Sequence, residues 1–279
     1  MTEKTFTASA ALPAVAYVTS HVGQVTVTIA PYVTTARVKV HTADTEGPLA
    51  DAVSGTTITE HAAGHETQLY INVPKVDGGF GGATNVVQVG GSRFSFNGGV
   101  VNTGVMAGVT ISNGDVWMGG HRIVANGRVV AEQGAVVSGS GTITVEIQLP
   151  ANSSVDLTAT SADLNITGAL NELRFRSVSG DINAQGVRSL SGNTTSGDIT
   201  ARYVSESASV SSVSGDIEVE SYSGTSFSAN TVSGDIELAT TPAASGTVNV
   251  SSVSGDVTTR GAGHLNVRPS TVRGRVRNR

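Results

Sequence analysis

Six aspartates recur at nearly even spacing through the second half of the chain, and such a row of carboxylates could bind metal ions. Stacked turns of this kind could hold Ca²⁺, because hard cations take carboxylate oxygens as ligands. Here each turn supplies only one carboxylate and one glycine, with Ser and Val beside them. We therefore expect the aspartates to close turns by accepting backbone N–H groups. The six are Asp163, Asp181, Asp198, Asp216, Asp235 and Asp256.

Two histidines, His61 and His65, have a spacing that binds metal ions when it falls on a helix. Gly64 lies between them, and the neighbouring segments alternate as strands do, so a turn is the better prediction. Glu60 and Glu66 stand outside the pair, not inside it as in the His-Glu-x-x-His order. An exposed polar hairpin is expected here.

Acid/base cleavage of polysaccharides by clustered carboxylates is the other chemistry to consider, because some β-helical enzymes use it. The carboxylates of this chain repeat as structure, and none forms an isolated pair beside a basic or aromatic subsite. The 279 residues include no cysteine, which excludes thiol nucleophiles, disulfides and Cys-ligated metal centres. We expect no enzymatic activity, no cofactor, and no catalytic, cofactor-binding or metal-ligating residue.

The net charge of −5 hides an uneven distribution of charge. Residues 260–279 hold six arginines and no acid, which leaves 11 basic against 22 acidic residues over 1–259. Most of the chain would therefore repel nucleic acid, which we regard as an unlikely partner. Arginines alternate with other residues from Val272 to the last residue, and we expect one final strand that caps an exposed end of the fold.

A repeat of about 18 residues organises the second half of the chain. Ser-Gly-Asp followed by Ile or Val occurs five times, a weaker copy precedes these at Asp163, and a last copy has Arg275 in place of Asp. The residues one after, three after, eight before and three before each Asp are almost all apolar, with polar residues between them. We expect all four columns to be buried, including Val178, Thr195, Val213, Val232, Val253 and Val272.

This alternation predicts strands with one buried face. A unit of this length cannot bury its own apolar face, but stacked units form a continuous core. The sequence therefore predicts an all-β fold, a β-solenoid with rungs of about 18 residues and a glycine-rich β insertion. With rungs about 4.8 Å apart, the six intervals from Asp163 to Arg275 would span roughly 30 Å. Glycine recurs at one corner, where a positive φ or a close rung-to-rung approach favours it.

Three segments are predicted. Residues 1–75 form an N-terminal β segment, which supplies the first solenoid rungs because Gly23-Gln24-Val25 matches Gly215-Asp216-Ile217. Residues 76–141 contain 17 of the 34 glycines and form a β insertion, which is also the expected contact surface because it carries the only Trp. Residues 142–279 form the solenoid repeats and their Arg-rich cap.

The sequence shows no membrane-spanning segment and no basic-then-apolar order typical of an export signal. We expect a cytoplasmic protein, with a virion as the alternative location.

The repeated Ser-Val-Ser-Gly-Asp-Ile, the Val145–Pro150 strand and Ser161-Ala162-Asp163-Leu164 resemble a bacterial family. This is the putative-adhesin family of β-strand-repeat proteins of unknown function, common in actinobacteria. The resemblance covers residues 1–75 and 142–279 and is less clear over 76–141. It implies a β-solenoid and no known catalytic residues.

These features predict a non-enzymatic β-solenoid scaffold or adhesin-like interaction protein. Its partner would be another macromolecule, protein or glycan, or a second copy of itself. Two alternatives stay open: a phage virion component of the tail or decoration type, and a β-helical polysaccharide-binding protein or lyase.

Overall fold

The computed structural model describes residues 1–76 and 142–278 in full, and between them the backbone of six short strands. The chain divides into two compact units, one formed by Met1–Lys75 with Gly141–Arg279 and the other by Val76–Ser140. Each unit is described by itself.

The first unit begins with strands, one short helix and a hairpin, and continues with the repeats. Its first elements are β1 (Thr2–Thr7), β2 (Ala14–Ile29), β3 (Arg37–Thr42), α1 (Pro48–Gly55), β4 (Thr57–Ala63) and β5 (Glu66–Asn72). The second unit holds β6 (Thr84–Val89), β7 (Ser92–Asn97), β8 (Val109–Ser112), β9 (Asp115–Met118), β10 (His121–Ala125) and β11 (Arg128–Val129).

The repeats occupy eleven strands. They are β12 (Thr144–Leu149), β13 (Ser154–Ser179), β14 (Ile182–Ser196), β15 (Ile199–Ser214), β16 (Ile217–Tyr222), β17 (Ser226–Ser233), β18 (Ile236–Thr240), β19 (Thr247–Ser254), β20 (Val257–Arg260), β21 (Asn266–Arg273) and β22 (Val276–Asn278).

Parallel pairing in the repeats confirms the predicted β-solenoid. Leu164 pairs with Ile182, Ile182 with Ile199, and the same column continues through Ile217 and Ile236. Each rung has two legs: the first leg follows the Asp corner, and the second leg leads to the next corner. In β14 and β15 one continuous strand runs through both legs, whereas later rungs use two separate strands.

Three of the four predicted columns form the core between the legs. The residue one after each Asp, the residue three after it and the residue eight before it are buried in the inner rungs, as Ile217, Val219 and Phe227 show with at most 1% exposure. Where the two legs of one rung meet, the Tyr222 and Phe227 rings lie edge to face, 5.2 Å between centroids. Such pairs stabilise a core beyond the area that they bury.

The fourth column does not belong to the core, and the prediction that it is buried was wrong. Val213, Val232 and Val253 are 50%, 49% and 45% exposed. The buried residue is the preceding Ser or Thr, such as Thr231 at 4%. The reason is the period of two: residues eight and three before an Asp are five apart and cannot share one face of an extended strand.

The solenoid pattern also includes part of the N-terminal segment. β2 pairs in parallel with β13, with Val25 opposite Leu164 and Val27 opposite Ile166, so β2 is itself a rung. β12 and β5 extend its two legs, pairing in parallel with β2 at Val25 and Tyr17 respectively. β1 and β3 are antiparallel additions to this end of the sheet.

The helix α1 is the one departure from β structure in the described part of the chain, and the sequence reading did not anticipate it. Pro48 lies in its first turn, where its missing N–H costs nothing. Leu49 and Val53 are buried, and the Thr56 hydroxyl donates a hydrogen bond to the Ala52 carbonyl at 2.9 Å.

The second unit contains antiparallel strands, as a hairpin β6–β7 and a four-stranded sheet in the order β11-β10-β9-β8. The predicted contact surface around Trp117 lies outside the described side chains.

Candidate interaction surface

The corner aspartates form a ladder along one edge of the solenoid. The Oδ1 atom of each Asp accepts a hydrogen bond from the backbone N–H of the residue at the same corner of the next rung. The distance is 3.0 Å from Asp181 N to Asp163 Oδ1 and 2.7 Å from Asp235 N to Asp216 Oδ1. The remaining bonds run in the same way, from the backbone N–H of the first residue to the Oδ1 atom of the second: Asp198 to Asp181, Asp216 to Asp198, Asp256 to Asp235 and Arg275 to Asp256.

The aspartates accept backbone N–H groups, as expected. The donor, however, lies in the next rung and not in the turn that contains the Asp. Each carboxylate bonds to the rung that follows it, so it joins neighbouring rungs. Charge-assisted hydrogen bonds of this kind are stronger than neutral ones. Among the described residues no group of three or more His, Asp or Glu side chains could hold a metal ion.

Glycine at the same corner is required by rung-to-rung contact. A Cβ on Gly215 would overlap the carbonyl oxygen of Gly197, and a Cβ on Gly234 would overlap that of Gly215. Four corner glycines also have φ between 127° and 157°, a region that other residues rarely adopt. Gly255 and Gly274 show the close approach alone. Both predicted reasons for glycine at this corner thus apply.

A row of half-exposed valines runs along the outside of the second-leg sheet, beside the Asp corner. The residue that precedes each of them points the other way, and some of these hydroxyls are bonded: Thr231 Oγ1 donates to the Gly215 carbonyl at 3.3 Å, and Ser252 Oγ to the Gly234 carbonyl at 3.0 Å. Thr194 Oγ1 and Ser212 Oγ are buried without a hydrogen-bond partner among the described residues. The half-exposed valines are Val178, Val213, Val232 and Val253, and the row also includes Thr195 and the more exposed Val272 at the equivalent positions.

The strand positions next to the valine row are small and uncharged. Over β14, β15, β17 and β19 two further outward rows run in register, Ser191–Ser209–Ser228–Asn249 and Asn193–Ser211–Asn230–Ser251. We call the outer surface formed by these two rows and the adjoining Thr195, Val213, Val232 and Val253 the valine face. It carries no formal charge, and Arg174, Arg176 and Arg268 flank it on the neighbouring rungs.

The outer surface of the first-leg sheet is charged instead. Arg202 Nε lies 3.4 Å from Glu220 Oε2, and Arg260 Nη2 lies 3.1 Å from Glu237 Oε2. A shallow cavity of about 110 Å³ lies among Glu218, Glu220, Glu237 and Arg260. All these ion pairs are about half exposed, so each contributes little to stability.

The two histidines lie on the hairpin that was predicted for them. β4 and β5 are antiparallel, and Gly64 in the turn has φ 66°. Glu60 accepts hydrogen bonds from Ser9 N at 3.0 Å and from Ser9 Oγ at 2.8 Å. His61 lies edge-on to Tyr70, 5.5 Å between ring centroids.

Tyr70 also stacks on Tyr17 at 4.8 Å with only 9° between the rings. Sequence reading missed this aromatic group. The two tyrosines meet because β2 and β5 pair in register, and this pairing is not visible in either segment alone.

The arginine-rich end departs from the single strand that was predicted. β21 ends at Arg273 and β22 begins at Val276, with the Gly274 corner between them. The repeat therefore continues to the end, and its corner divides the arginines between two strands. Arg277 Nη2 lies 3.5 Å from Asp256 Oδ2.

The repeat geometry agrees with a comparison against known families. The family model described as Toastrack DUF4097 matches residues 25–277. The chain belongs to the Toastrack DUF4097 family. The predicted resemblance to a β-solenoid family of unknown function is confirmed at this level, and the expected actinobacterial origin stays a prediction.

Three solved structures align with nearly the whole chain. A putative adhesin from Bacteroides fragilis NCTC 9343 and one from Parabacteroides distasonis ATCC 8503 each have 11% identity and a TM-score of 0.47, covering 99% of this chain and 97% of theirs. A putative cell adhesion protein from Clostridium sporogenes ATCC 15579 has 9% identity and a TM-score of 0.35, with the same coverage. No curated protein matches the chain. The helix α1, the one helix in the described residues, is not long and apolar enough to cross a membrane.

Proposed function

We propose that this Toastrack protein is a non-catalytic, adhesin-like scaffold that binds another macromolecule through the valine face. The observation that carries the proposal is the row of valines at about half exposure on strands that pair in regular register. Contiguous apolar surface that a folded protein leaves exposed commonly marks an interaction site.

The lack of charge on the valine face supports this role. A partner must strip water from the surface that it covers, and removing water from charged groups costs far more than removing it from valine, serine or asparagine. On the first-leg sheet the same rungs display Glu218, Glu220 and Glu237, on β16 and β18. The two outer surfaces of one solenoid therefore differ in how readily they can be covered.

The rigidity of the face supports the same role. Each rung of the valine face is fixed to the next by its Asp hydrogen bond and by parallel strand pairing. A surface that is already ordered loses little conformational entropy on binding. The Ser and Asn rows can then supply hydrogen bonds to a protein or a glycan, while the valines supply apolar contact.

The test is capture of partners on the immobilised protein, from an extract of the source organism and on an array of purified glycans. V232E/V253E places two carboxylates on the valine face. The control N183E/Q185E places two carboxylates on the exposed outer side of the first leg. Thermal melting of all three proteins shows whether the fold is retained.

We expect a specific partner to be retained by the native protein and by the control, and to be lost at least about tenfold by V232E/V253E. Equal retention by all three proteins would contradict the role of the valine face. Loss by the control alone would place the binding surface on the first-leg sheet instead.

A further inference from the structure

The outer edge of the last rung is open in the part of the chain that the structure describes. β21 pairs with β19 and β22 pairs with β20, and neither has a described strand on its other side. An unpaired edge presents backbone N–H and C=O groups that can bond to another extended segment. We call the outer edge of β21 and β22 the open edge.

Core columns are uncovered at the open edge. Val276 is 43% exposed, whereas Val257, one rung before it in the same column, is 0% exposed. Val267 is partly exposed, whereas Val248, its partner in register, is 0% exposed. An added strand would bury these two valines as each rung buries those of the rung before.

The Asp ladder stops at this edge. Arg275 occupies the ladder position and donates its N–H to Asp256 Oδ1 at 2.9 Å. Its guanidinium has no acceptor atom, so it cannot receive an N–H from a further rung. Another Ser-Gly-Asp rung, from this chain or from a second copy, would lack the bond that joins all the others.

Positive charge surrounds the open edge. Arg268, Arg273 and Arg275 are exposed, and within the described residues none of them forms an ion pair with a carboxylate. Two copies meeting edge to edge would bring these arginines together and repel. An acidic segment would instead meet a cation at each of these positions.

We propose that the open edge binds an extended, acidic segment of a partner protein as an added β-strand. Main-chain hydrogen bonds would supply affinity, and carboxylates facing the arginines would supply selectivity. Pro269 has no N–H to offer, so the added strand gains no hydrogen bond from that residue. This surface is separate from the valine face, and neither proposal depends on the other.

Fluorescence anisotropy with labelled peptides tests the proposal on the native protein. The probe is an octapeptide of alternating Glu and Val. One control peptide replaces every Glu with Lys, and another replaces two Val with Pro to remove strand N–H groups. The variant R273Q/R275Q removes charge from the open edge, and the control R174Q/R176Q removes two exposed arginines from another rung.

We expect the Glu-Val peptide to bind, and both control peptides to bind at least about tenfold more weakly. R273Q/R275Q should lose about tenfold in affinity, and R174Q/R176Q should match the native protein. Binding should weaken as ionic strength rises from about 0.01 to about 0.1 M, because the screening length falls from about 30 to about 10 Å.

Four results would overturn the proposal. The first is equal binding of the Glu and Lys peptides, and the second is equal loss by the two arginine variants. The third is a dimer, seen by light scattering, that dissociates when the acidic peptide is added. Such a dimer would show that a second copy of the chain occupies the open edge. Loss of peptide binding by V232E/V253E would likewise move the site to the valine face.

Discussion

The Oδ1 atom of Asp216 accepts a hydrogen bond from the backbone N–H of Asp235, 2.7 Å away and one rung further along the chain. The repeat of Asp at this corner thus has a structural cause. Each carboxylate accepts the corner N–H of the next rung, and the succession of such bonds joins neighbouring rungs.

The first prediction concerns this bond. Asp216→Ala should lower the free energy of unfolding by about 1 kcal/mol, because the Asp235 N–H loses its acceptor while remaining near solvent. Asp216→Asn keeps an acceptor oxygen and should cost less. Glu218→Ala in the same rung is the control and should change stability by less than about 0.5 kcal/mol. Chemical denaturation measures the free energy of unfolding of all three variants. Equal losses for Asp216→Ala and Glu218→Ala would show that the Asp ladder does not stabilise the fold.

The second prediction concerns the corner glycines. Gly215→Ala should destabilise the fold by more than about 2 kcal/mol, because the new Cβ meets the Gly197 carbonyl and φ is 153°. The control is Gly263→Ala, because a Cβ at Gly263 would have no atom within 4 Å. Thermal melting should separate the two variants clearly. A Gly215→Ala protein as stable as the control would contradict the close approach of the rungs.

The third prediction concerns pH. Burial of the Tyr222 phenol raises its pKa from 10.0 to about 12, and a hydrogen bond from the backbone of Ser226 opposes part of this shift. The folded state therefore keeps the phenol proton to higher pH than the unfolded state does. The resulting stabilisation is fully present below pH 10 and is lost as pH rises from about 10 to about 12, by about 2 to 3 kcal/mol.

Denaturation at several pH values tests this on Tyr222→Phe, which cannot ionise, against the native protein. The variant should lose less stability than the native protein over this pH range. Tyr203→Phe is the matched control, because Tyr203 is 55% exposed. If the two variants follow the same curve, the Tyr222 phenol ionises without cost to the fold.

Sequence periodicity was sufficient for the solenoid but not for one of its faces. The columns of Ile217 and Phe227 were identified correctly because both are apolar and lie on the inward side of their strands. Val232 is equally apolar, but it lies an odd number of residues from Phe227 along one strand, which places it outside. Counting odd and even positions would have corrected this from the sequence alone.

Other features depended on contacts between distant segments. The partner of Asp216 is Asp235 and not its own turn, which becomes visible only when the rungs are stacked in register. Tyr17 and Tyr70 belong to segments separated by β3, α1 and β4, and only the pairing of β2 with β5 brings them together. The short helix α1 has one apolar stripe of too few residues to stand out in the sequence.

The outward direction of the valine row is the central claim, and one strand offers a matched test of it. Val250 is 1% exposed and Val253 is 45% exposed, and both lie on β19. Because the chain contains no cysteine, Val250→Cys and Val253→Cys each introduce a single thiol whose reaction with a thiol reagent can be timed in the folded protein. We predict that the Val253→Cys thiol reacts at close to its rate in the unfolded chain, and that the Val250→Cys thiol reacts at least about a hundredfold more slowly. Rapid reaction at position 250 with protection at position 253 would contradict it, since the valine row would then belong to the core.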